Sequence, residues 1–89
     1  MPRRDMTLIN KRGLHARAAT RLVQCCQPYE ARVTIFHGQR QADAGNIMSL
    51  LMLAASCGTV LTVHTEGADA DAALEAIVSL VEARFDEDQ

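Results

Sequence analysis

The chain has 89 residues, of which 48% are hydrophobic and 22% are charged, and its formal net charge is −2. This length predicts a single domain with one modest core, and the composition is typical of a soluble globular protein rather than a disordered one. The slightly negative charge argues against a general nucleic-acid binder, because such a protein presents a basic face.

The N-terminus and the cysteines indicate the compartment. Residues 1–5 lack the apolar core of a signal peptide, and the longest unbroken apolar run, residues 50–55, is far too short to span a membrane. Three cysteines cannot all pair within one chain, and their spacing does not suit a metal. We therefore expect a cytoplasmic protein without membrane insertion, with Cys25, Cys26 and Cys57 reduced and partly buried.

The first half of the chain predicts a strand, a helix and a hairpin. Residues 6–9 are typical of a short strand, and a helix is expected directly after His15 and before Pro28. Residues 32–37 alternate in hydrophobicity, and a turn that begins at His37 leads into a shorter strand over residues 40–43. The apolar stripe of the helix consists of Ala19, Leu22, Val23 and Cys26.

The second half predicts a helix, a strand and a longer helix. Asn46 is expected to cap a helix from Ile47 to about Ala55, and residues 59–65 alternate as a fourth strand. Asp69 is expected to cap the last helix, and residues 86–88 to form a solvated, fraying tail. The apolar stripe of the last helix consists of Ala70, Ala73, Leu74, Ile77, Val78, Val81 and Phe85.

The order of these elements is βαββαβα. Alternating strands and amphipathic helices predict an α+β fold in which one four-stranded sheet is solvated on one face and covered by three helices on the other.

His15 lies where the polar loop after the first strand meets the first helix. A helix leaves its first backbone amides without partners there, and such a place binds anions. Ser, Thr, Asp or Asn is the usual cap, so a histidine breaks a local rule in a way that often marks function. The pattern indicates an imidazole that accepts a phosphoryl group, with backbone donors at Ala16, Arg17 and Ala18 and the charge of Arg17. The alternative is an incidental surface histidine beside an arginine.

Residues 13–19, Gly-Leu-His-Ala-Arg-Ala-Ala, preceded by Asn10, resemble the active-site signature of the histidine-containing phosphocarrier family, which comprises HPr and its nitrogen-branch relative NPr. The resemblance continues through residues 46–55, 58–60 and 66–67, so that it extends over essentially the whole chain. Two separated motifs in register make the resemblance specific.

The resemblance implies a four-stranded antiparallel sheet in an open-faced sandwich and a covalent relay. A phosphoryl group would pass from the phosphohistidine of an enzyme I-type protein, itself charged from phosphoenolpyruvate, to Nδ1 of His15 and then to a IIA-type protein. The chain would thus be a carrier and not an enzyme that turns over small molecules. No residue cluster suggests a cofactor or metal, and we expect a monomer.

The second helix has more apolar side chains than one buried stripe can hold. If Leu50 and Leu53 face the core, other apolar side chains remain partly in water. The residues alone leave open that the helix is buried all round. The resemblance implies instead that it docks donor and acceptor proteins together with the exposed face of the first helix. The expected docking surface consists of Arg17, Thr20, Arg21, Gln24, Ile47, Met48, Leu51 and Met52.

Two positions depart from the family pattern. The usual proline after the arginine is Ala18, and Asn46 stands where many members have a regulatory serine. Asparagine has no hydroxyl, so control by a serine kinase is not expected there, and Ser49 lies at a different helix position. Asn46 together with residues 50–53 and 84–88 makes the chain more similar to NPr than to HPr.

Two hypotheses from other classes stay open at this point. One is a regulatory module that is not phosphorylated and binds a target enzyme through Met48 and Leu51. The other is a redox or metal protein that uses the three cysteines. His37 and His64 have no arginine or helix start beside them, so neither is expected to carry phosphoryl.

Overall fold

The fold is an open-faced sandwich, which the computed structural model describes for residues 2–87. Its four strands form one antiparallel sheet in the order β1-β4-β2-β3, as expected. No helix within residues 2–87 is long and apolar enough to cross a membrane. The elements are β1 (Arg3–Thr7), α1 (Ala16–Cys26), β2 (Arg32–His37), β3 (Arg40–Asp43), α2 (Ile47–Leu51), β4 (Val60–Glu66), α3 (Ala70–Glu82) and a 3₁₀ turn (Arg84–Asp86).

Side-chain alternation along the central strands separates a core face from a solvent face. Leu61, Val63 and Thr65 of β4 are buried and alternate with more exposed neighbours. Ile35 of β2 lies directly opposite Val63, so both point to the same side. The helices cover that side, because α3 packs on β4 and β1, α2 packs on β3, and α1 packs against α2 and α3.

Two strands are shifted relative to the sequence prediction. β1 begins at Arg3 and ends at Thr7, whereas residues 6–9 were expected. An edge strand needs no apolar run, and charged side chains protect it from pairing with other chains, so periodicity gave no signal there. β4 spans residues 60–66 and not 59–65, a shift of one residue.

α2 is shorter than expected, because it ends at Leu51 and not near Ala55. Residues 52 and 53 form a turn after the helix, and Ala54, with φ of 52°, has a left-handed conformation from which the helix cannot continue. The resulting bend brings the carbonyl of Ala55 to the backbone N–H of Leu14, at 2.9 Å. The loop after α2 therefore supports the segment that leads into α1.

The two predicted caps differ in outcome. Asn46 caps α2, since its side-chain oxygen accepts the Ser49 N–H at 3.0 Å. Asp69 stands at the cap position of α3 but makes no capping bond. Its carboxylate instead accepts the N–H of Glu30 at 2.7 Å, so it ties the loop before β2 to the start of α3.

The apolar stripe of the last helix is buried throughout, although Phe85 lies beyond the end of α3. Phe85 belongs to the 3₁₀ turn, where Arg84, Phe85 and Asp86 have φ of 55°, 54° and 63°. L-residues disfavour this conformation, so contacts must hold the segment in place. The Phe85 side chain is only 1% exposed, and it anchors the turn in the core.

The three cysteines have free thiols. Cys25 and Cys26 are half-buried as expected, whereas Cys57 is exposed, contrary to the prediction. Burial raises the pKa of the Cys26 thiol to about 12, and the neighbouring Cys25 and Asp43 add to the rise. A thiol with so high a pKa is a poor nucleophile and a poor metal ligand at neutral pH.

The two other histidines lie away from any helix start. His37 is the last residue of β2 and not part of the turn, and its Nδ1–H donates to the carbonyl of Leu53 at 2.8 Å. His64 lies on the open face of the sheet, where its ring packs against Phe36 with 4.9 Å between ring centroids.

Candidate functional site

The loop between β1 and α1 holds His15 from two sides. The N–H of Gly13 donates to the carbonyl of Asn10 at 3.1 Å, and the N–H of His15 donates to the carbonyl of Gly13 at 3.0 Å. Gly13 has φ of +67°, and a Cβ atom there would lie 2.6 Å from the oxygen of Ala55, so only glycine fits. The backbone at His15 is therefore fixed by the loop and by the segment after α2.

His15 is the N-cap residue of α1, with φ of −90° and ψ of −177°, and its side chain makes no capping bond. The first intrahelical bond runs from the N–H of Ala19 to the carbonyl of His15, at 2.8 Å. The amides of Ala16, Arg17 and Ala18 donate to no acceptor within residues 2–87. Unpaired amides and the helix dipole together give this end of α1 the character of an anion site.

The imidazole ring of His15 is partly accessible, with 18% of its side chain exposed. Its Nε2 contacts the carboxylate of Glu87. Its Nδ1 has no hydrogen-bond partner in the described part of the chain. The two ring nitrogens thus differ in environment, and among the described residues only Nε2 has a hydrogen-bond partner.

The predicted polar residues share one face of α1. Arg17 is exposed and forms no ion pair within residues 2–87. Thr20 is half-buried and donates its hydroxyl to the carbonyl of Ala16 at 2.8 Å, and Gln24 is exposed. Arg21 forms a salt bridge at 3.0 Å with Asp86. The cation nearest in sequence to His15 thus has no carboxylate partner in the described part of the chain.

Some apolar side chains of residues 47–53 are buried and others are exposed, as expected, so α2 is not buried on all sides. The two helices α1 and α2 pack against each other. The exposed fractions are 37% for Ile47, 67% for Met48 and 73% for Met52, Leu51 is half-buried, and Leu50 and Leu53 are buried.

The sequence analysis missed Glu87, which was assigned to a solvated tail. Its side chain is only 10% exposed. One carboxylate oxygen accepts a hydrogen bond from Nδ2 of Asn10 at 2.9 Å, and the other contacts His15. Asp88, also assigned to that tail, lies outside the described residues. The tail prediction is wrong for Glu87 because a contact across 72 residues leaves no local pattern.

For Asp86 the same prediction holds in part, because the side chain is exposed as expected but forms a salt bridge with Arg21 of α1. The one local signal for this arrangement was Phe85, whose apolar ring continues the stripe of α3 and is buried. A chain that buries Phe85 must hold the next two residues near the helices.

The ionisation of Glu87 reflects its surroundings. Partial burial alone would raise the pKa of the carboxyl, but the hydrogen bonds from Asn10 and His15, and the charges of His15 and Arg12, outweigh it. The pKa of Glu87 is consequently below its usual value, which keeps the group ionised at neutral pH. Within residues 2–87, no cluster of three or more His, Cys, Asp or Glu side chains could hold a metal ion.

Comparison with known proteins agrees with this geometry. Residues 2–83 match the family model described as "PTS HPr component phosphorylation site". The chain is 48% identical over 84 residues to phosphocarrier protein NPr of Shewanella violacea, covering 94% of this chain and 92% of that protein. It is 42% identical over 87 residues to phosphocarrier protein HPr of Cupriavidus necator, with 98% of each chain covered.

Solved structures of HPr proteins have the same fold as this chain. HPr-C-His from Thermoanaerobacter tengcongensis superposes with a TM-score of 0.95 at 31% identity, covering 100% of both chains. HPr from Bacillus anthracis superposes with a TM-score of 0.85 at 34% identity, covering 90% of this chain and 95% of that one. The higher identity to the NPr protein than to the HPr protein of C. necator agrees with the NPr-like residues noted in the sequence. The chain therefore belongs to the HPr family of phosphocarrier proteins of the phosphotransferase system.

Proposed function

We propose that this phosphocarrier accepts a phosphoryl group on Nδ1 of His15 from the phosphohistidine of an enzyme I-type protein and passes it to a IIA-type protein. The observation that carries the proposal is the position of His15 at the start of α1, where three amides have no acceptor within residues 2–87 and Nδ1 has no partner there. The exposed guanidinium of Arg17 adds a positive charge at the same end of the helix.

In the transfer, the Nδ1 lone pair forms a bond to phosphorus as the nitrogen–phosphorus bond of the donor breaks. The electron pair of the broken bond returns to the donor ring. The charged oxygens of the transferring phosphoryl group are stabilised by the amides of Ala16, Arg17 and Ala18 and by the Arg17 side chain. The helix dipole contributes roughly 0.3–1 kcal/mol, a small term that leaves the phosphoryl group able to move on.

The docking surface proposed for both partners combines polar and apolar parts. The exposed apolar side chains of α2 exclude water at its centre, and the arginines of α1 attract acidic partners and fix their orientation. Its members are Arg17, Thr20, Arg21, Gln24, Ile47, Met48, Leu51 and Met52. We expect the carrier to act as a monomer in the cytoplasm and without a cofactor.

Labelling with radioactive phosphoenolpyruvate and enzyme I tests the assignment. Wild type should take up acid-labile phosphate, and His15→Ala should take up none. His64→Ala, which removes an imidazole from the open face of the sheet, is the matched control and should be labelled like wild type. Label retained by His15→Ala would overturn the proposal, and a protein that binds enzyme I without any label would favour a regulatory module instead.

The acceptor is proposed to be of the nitrogen branch. The support is the 48% identity to an NPr protein and the asparagine at position 46, which caps α2 and offers no hydroxyl to a serine kinase. Transfer from phosphorylated protein to purified nitrogen-branch and sugar-branch IIA proteins, measured side by side, tests this choice. Faster transfer to the sugar-branch protein would contradict it.

A further inference from the structure

We propose that Glu87, held in place by Asn10, is a positioning residue that sets the tautomer of His15, so that Nε2 keeps its proton and Nδ1 presents its lone pair. This inference rests on the proposed role of His15 as phosphoryl acceptor. It adds a role for two residues that lie outside the Gly-Leu-His-Ala-Arg motif.

The orientation of Asn10 is fixed first. Its side chain is completely buried, and its Nδ2 group donates one hydrogen to the carbonyl of Gly13 at 2.7 Å and the other to Oε1 of Glu87 at 2.9 Å. Both amide hydrogens are used, so the amide group cannot be turned over without losing two bonds. Asn10 therefore offers Glu87 a donor at a set position.

The carboxylate of Glu87 then determines which ring nitrogen of His15 carries the proton. With Oε1 bound to Asn10, Oε2 faces Nε2 of His15. An ionised carboxylate can only accept hydrogen bonds, so the neutral ring that fits this contact has its proton on Nε2. The hydrogen bond from Asn10 and the positive charge of Arg12 favour the ionised form of Glu87. The remaining nitrogen, Nδ1, lies at the start of α1 and has no hydrogen-bond partner among residues 2–87.

This tautomer is the one that the transfer needs. As Nδ1 bonds to phosphorus the ring gains positive charge, and a carboxylate on the Nε2 proton stabilises that charge. When the phosphoryl group leaves for the acceptor, its bonding pair returns to Nδ1 and the ring becomes neutral again. The Nε2 proton stays in place throughout, so no further acid or base is required.

The 3₁₀ turn of residues 84–86 holds Glu87 against the ring of His15. Phe85 is buried in the core, and Asp86 forms a salt bridge to Arg21 of α1, so anchors precede Glu87 directly. The left-handed turn of residues 84–86 directs the chain back toward the start of α1. A freely solvated tail would have none of these features.

Glu87→Gln tests the inference, because glutamine has one oxygen for two donors. If that oxygen keeps the bond from Asn10, the new amide group faces His15 and favours a proton on Nδ1, the tautomer that cannot attack. At about pH 8.5, where an ordinary imidazole is neutral, nitrogen NMR of labelled histidine should show an increased Nδ1–H fraction relative to wild type. The rate of phosphoryl uptake should fall about tenfold or more.

Glu75→Gln, a neutralised exposed carboxylate on α3, is the matched control and should change neither quantity. Glu87→Ala removes the carboxylate without adding a donor, so it should also slow uptake while its tautomer ratio approaches that of free histidine. If wild type takes up no label, the proposed role of His15 fails. If wild type is labelled but Glu87→Gln keeps either its tautomer ratio or its uptake rate, this inference alone is overturned.

Discussion

The imidazole of His15 occupies a position where a short oxygen side chain would stabilise the helix by about 1 kcal/mol. The side chain makes no capping bond, so the backbone N–H groups of the first turn receive no capping acceptor from it. The helix thus forgoes a stabilising cap, and its first-turn amides stay without a capping oxygen beside the ring that we propose as the nucleophile. His15 and Arg17 could both be proposed as site residues from the sequence, because a histidine before an apolar helix pattern and an arginine two residues on are local features.

Arg17→Ala should slow phosphoryl uptake about tenfold, because the exposed guanidinium supplies charge to the transferring oxygens. The fold should be unaffected, since Arg17 is exposed and forms no ion pair within residues 2–87. Rapid-quench kinetics with enzyme I measures the rate, and Arg3→Ala on the sheet edge is the control for lost charge. Equal rates for Arg17→Ala and wild type would show that this charge is not needed.

The contact between Glu87 and His15 should make stability depend on pH in the acid range. The pKa of Glu87 is lowered in the folded protein, so the contact contributes stability above the ordinary glutamate pKa, about 4.3. That contribution is lost as the pH falls through the lowered value. Wild type should therefore unfold at a higher temperature than Glu87→Gln at about pH 6, with the difference shrinking toward about pH 3. A difference that stays constant across this range would contradict the linkage.

At the scale of elements, the position of His15 depends on two short segments that pack against each other, the loop before α1 and the loop after α2. The bend at Ala54 stops α2 early and brings Ala55 against Gly13 and Leu14, which in turn place His15. The start of α2 was predictable from Asn46 and the apolar run. Its end was not, because the run continues through residues where the backbone has already turned to meet the other loop.

Met48→Glu should weaken binding to enzyme I at least tenfold, because a charge at the centre of the docking surface must lose its water on binding. Met48 is 67% exposed, so the free energy of unfolding should change by no more than about 0.5 kcal/mol. Calorimetric titration and urea unfolding measure the two effects. Ala72→Glu, which adds the same charge to an exposed position of α3, is the control. A large loss of stability would mean that Met48 packs in the core.

At the scale of the whole molecule, the sheet order β1-β4-β2-β3 and the packing of α3 against α1 bring residues 10–15 and residues 86–87 to one site. Periodicity predicted the helices, β2 and β4 and the face that each buries, but it gave no signal for β1. It could not predict that residues 86 and 87 return to α1, since that contact is made by polar side chains far apart in the chain. The sequence thus predicts the exposed apolar helix and the histidine proposed as the nucleophile, and the structure adds Glu87, which contacts Nε2 of that histidine.

Phe85→Ala should lower the free energy of unfolding by about 3 kcal/mol, because it leaves a cavity where an almost completely buried ring was. It should also release Glu87 and change the His15 tautomer ratio in molecules that remain folded. Urea unfolding and histidine NMR measure these effects. Arg84→Ala, an exposed neighbour in the same turn, should have little effect on either. Similar losses for the two variants would mean that burial of the ring is not what holds the turn.

The contact between His15 and a residue 72 positions later bears on synthesis of the protein. A nascent chain still attached to the ribosome has made its histidine early but lacks β4, α3 and the turn that follows. Distant contacts of this kind form late, since the intervening loop must first be closed. Nascent chains and products of premature termination should therefore take up phosphate more slowly than finished carrier molecules.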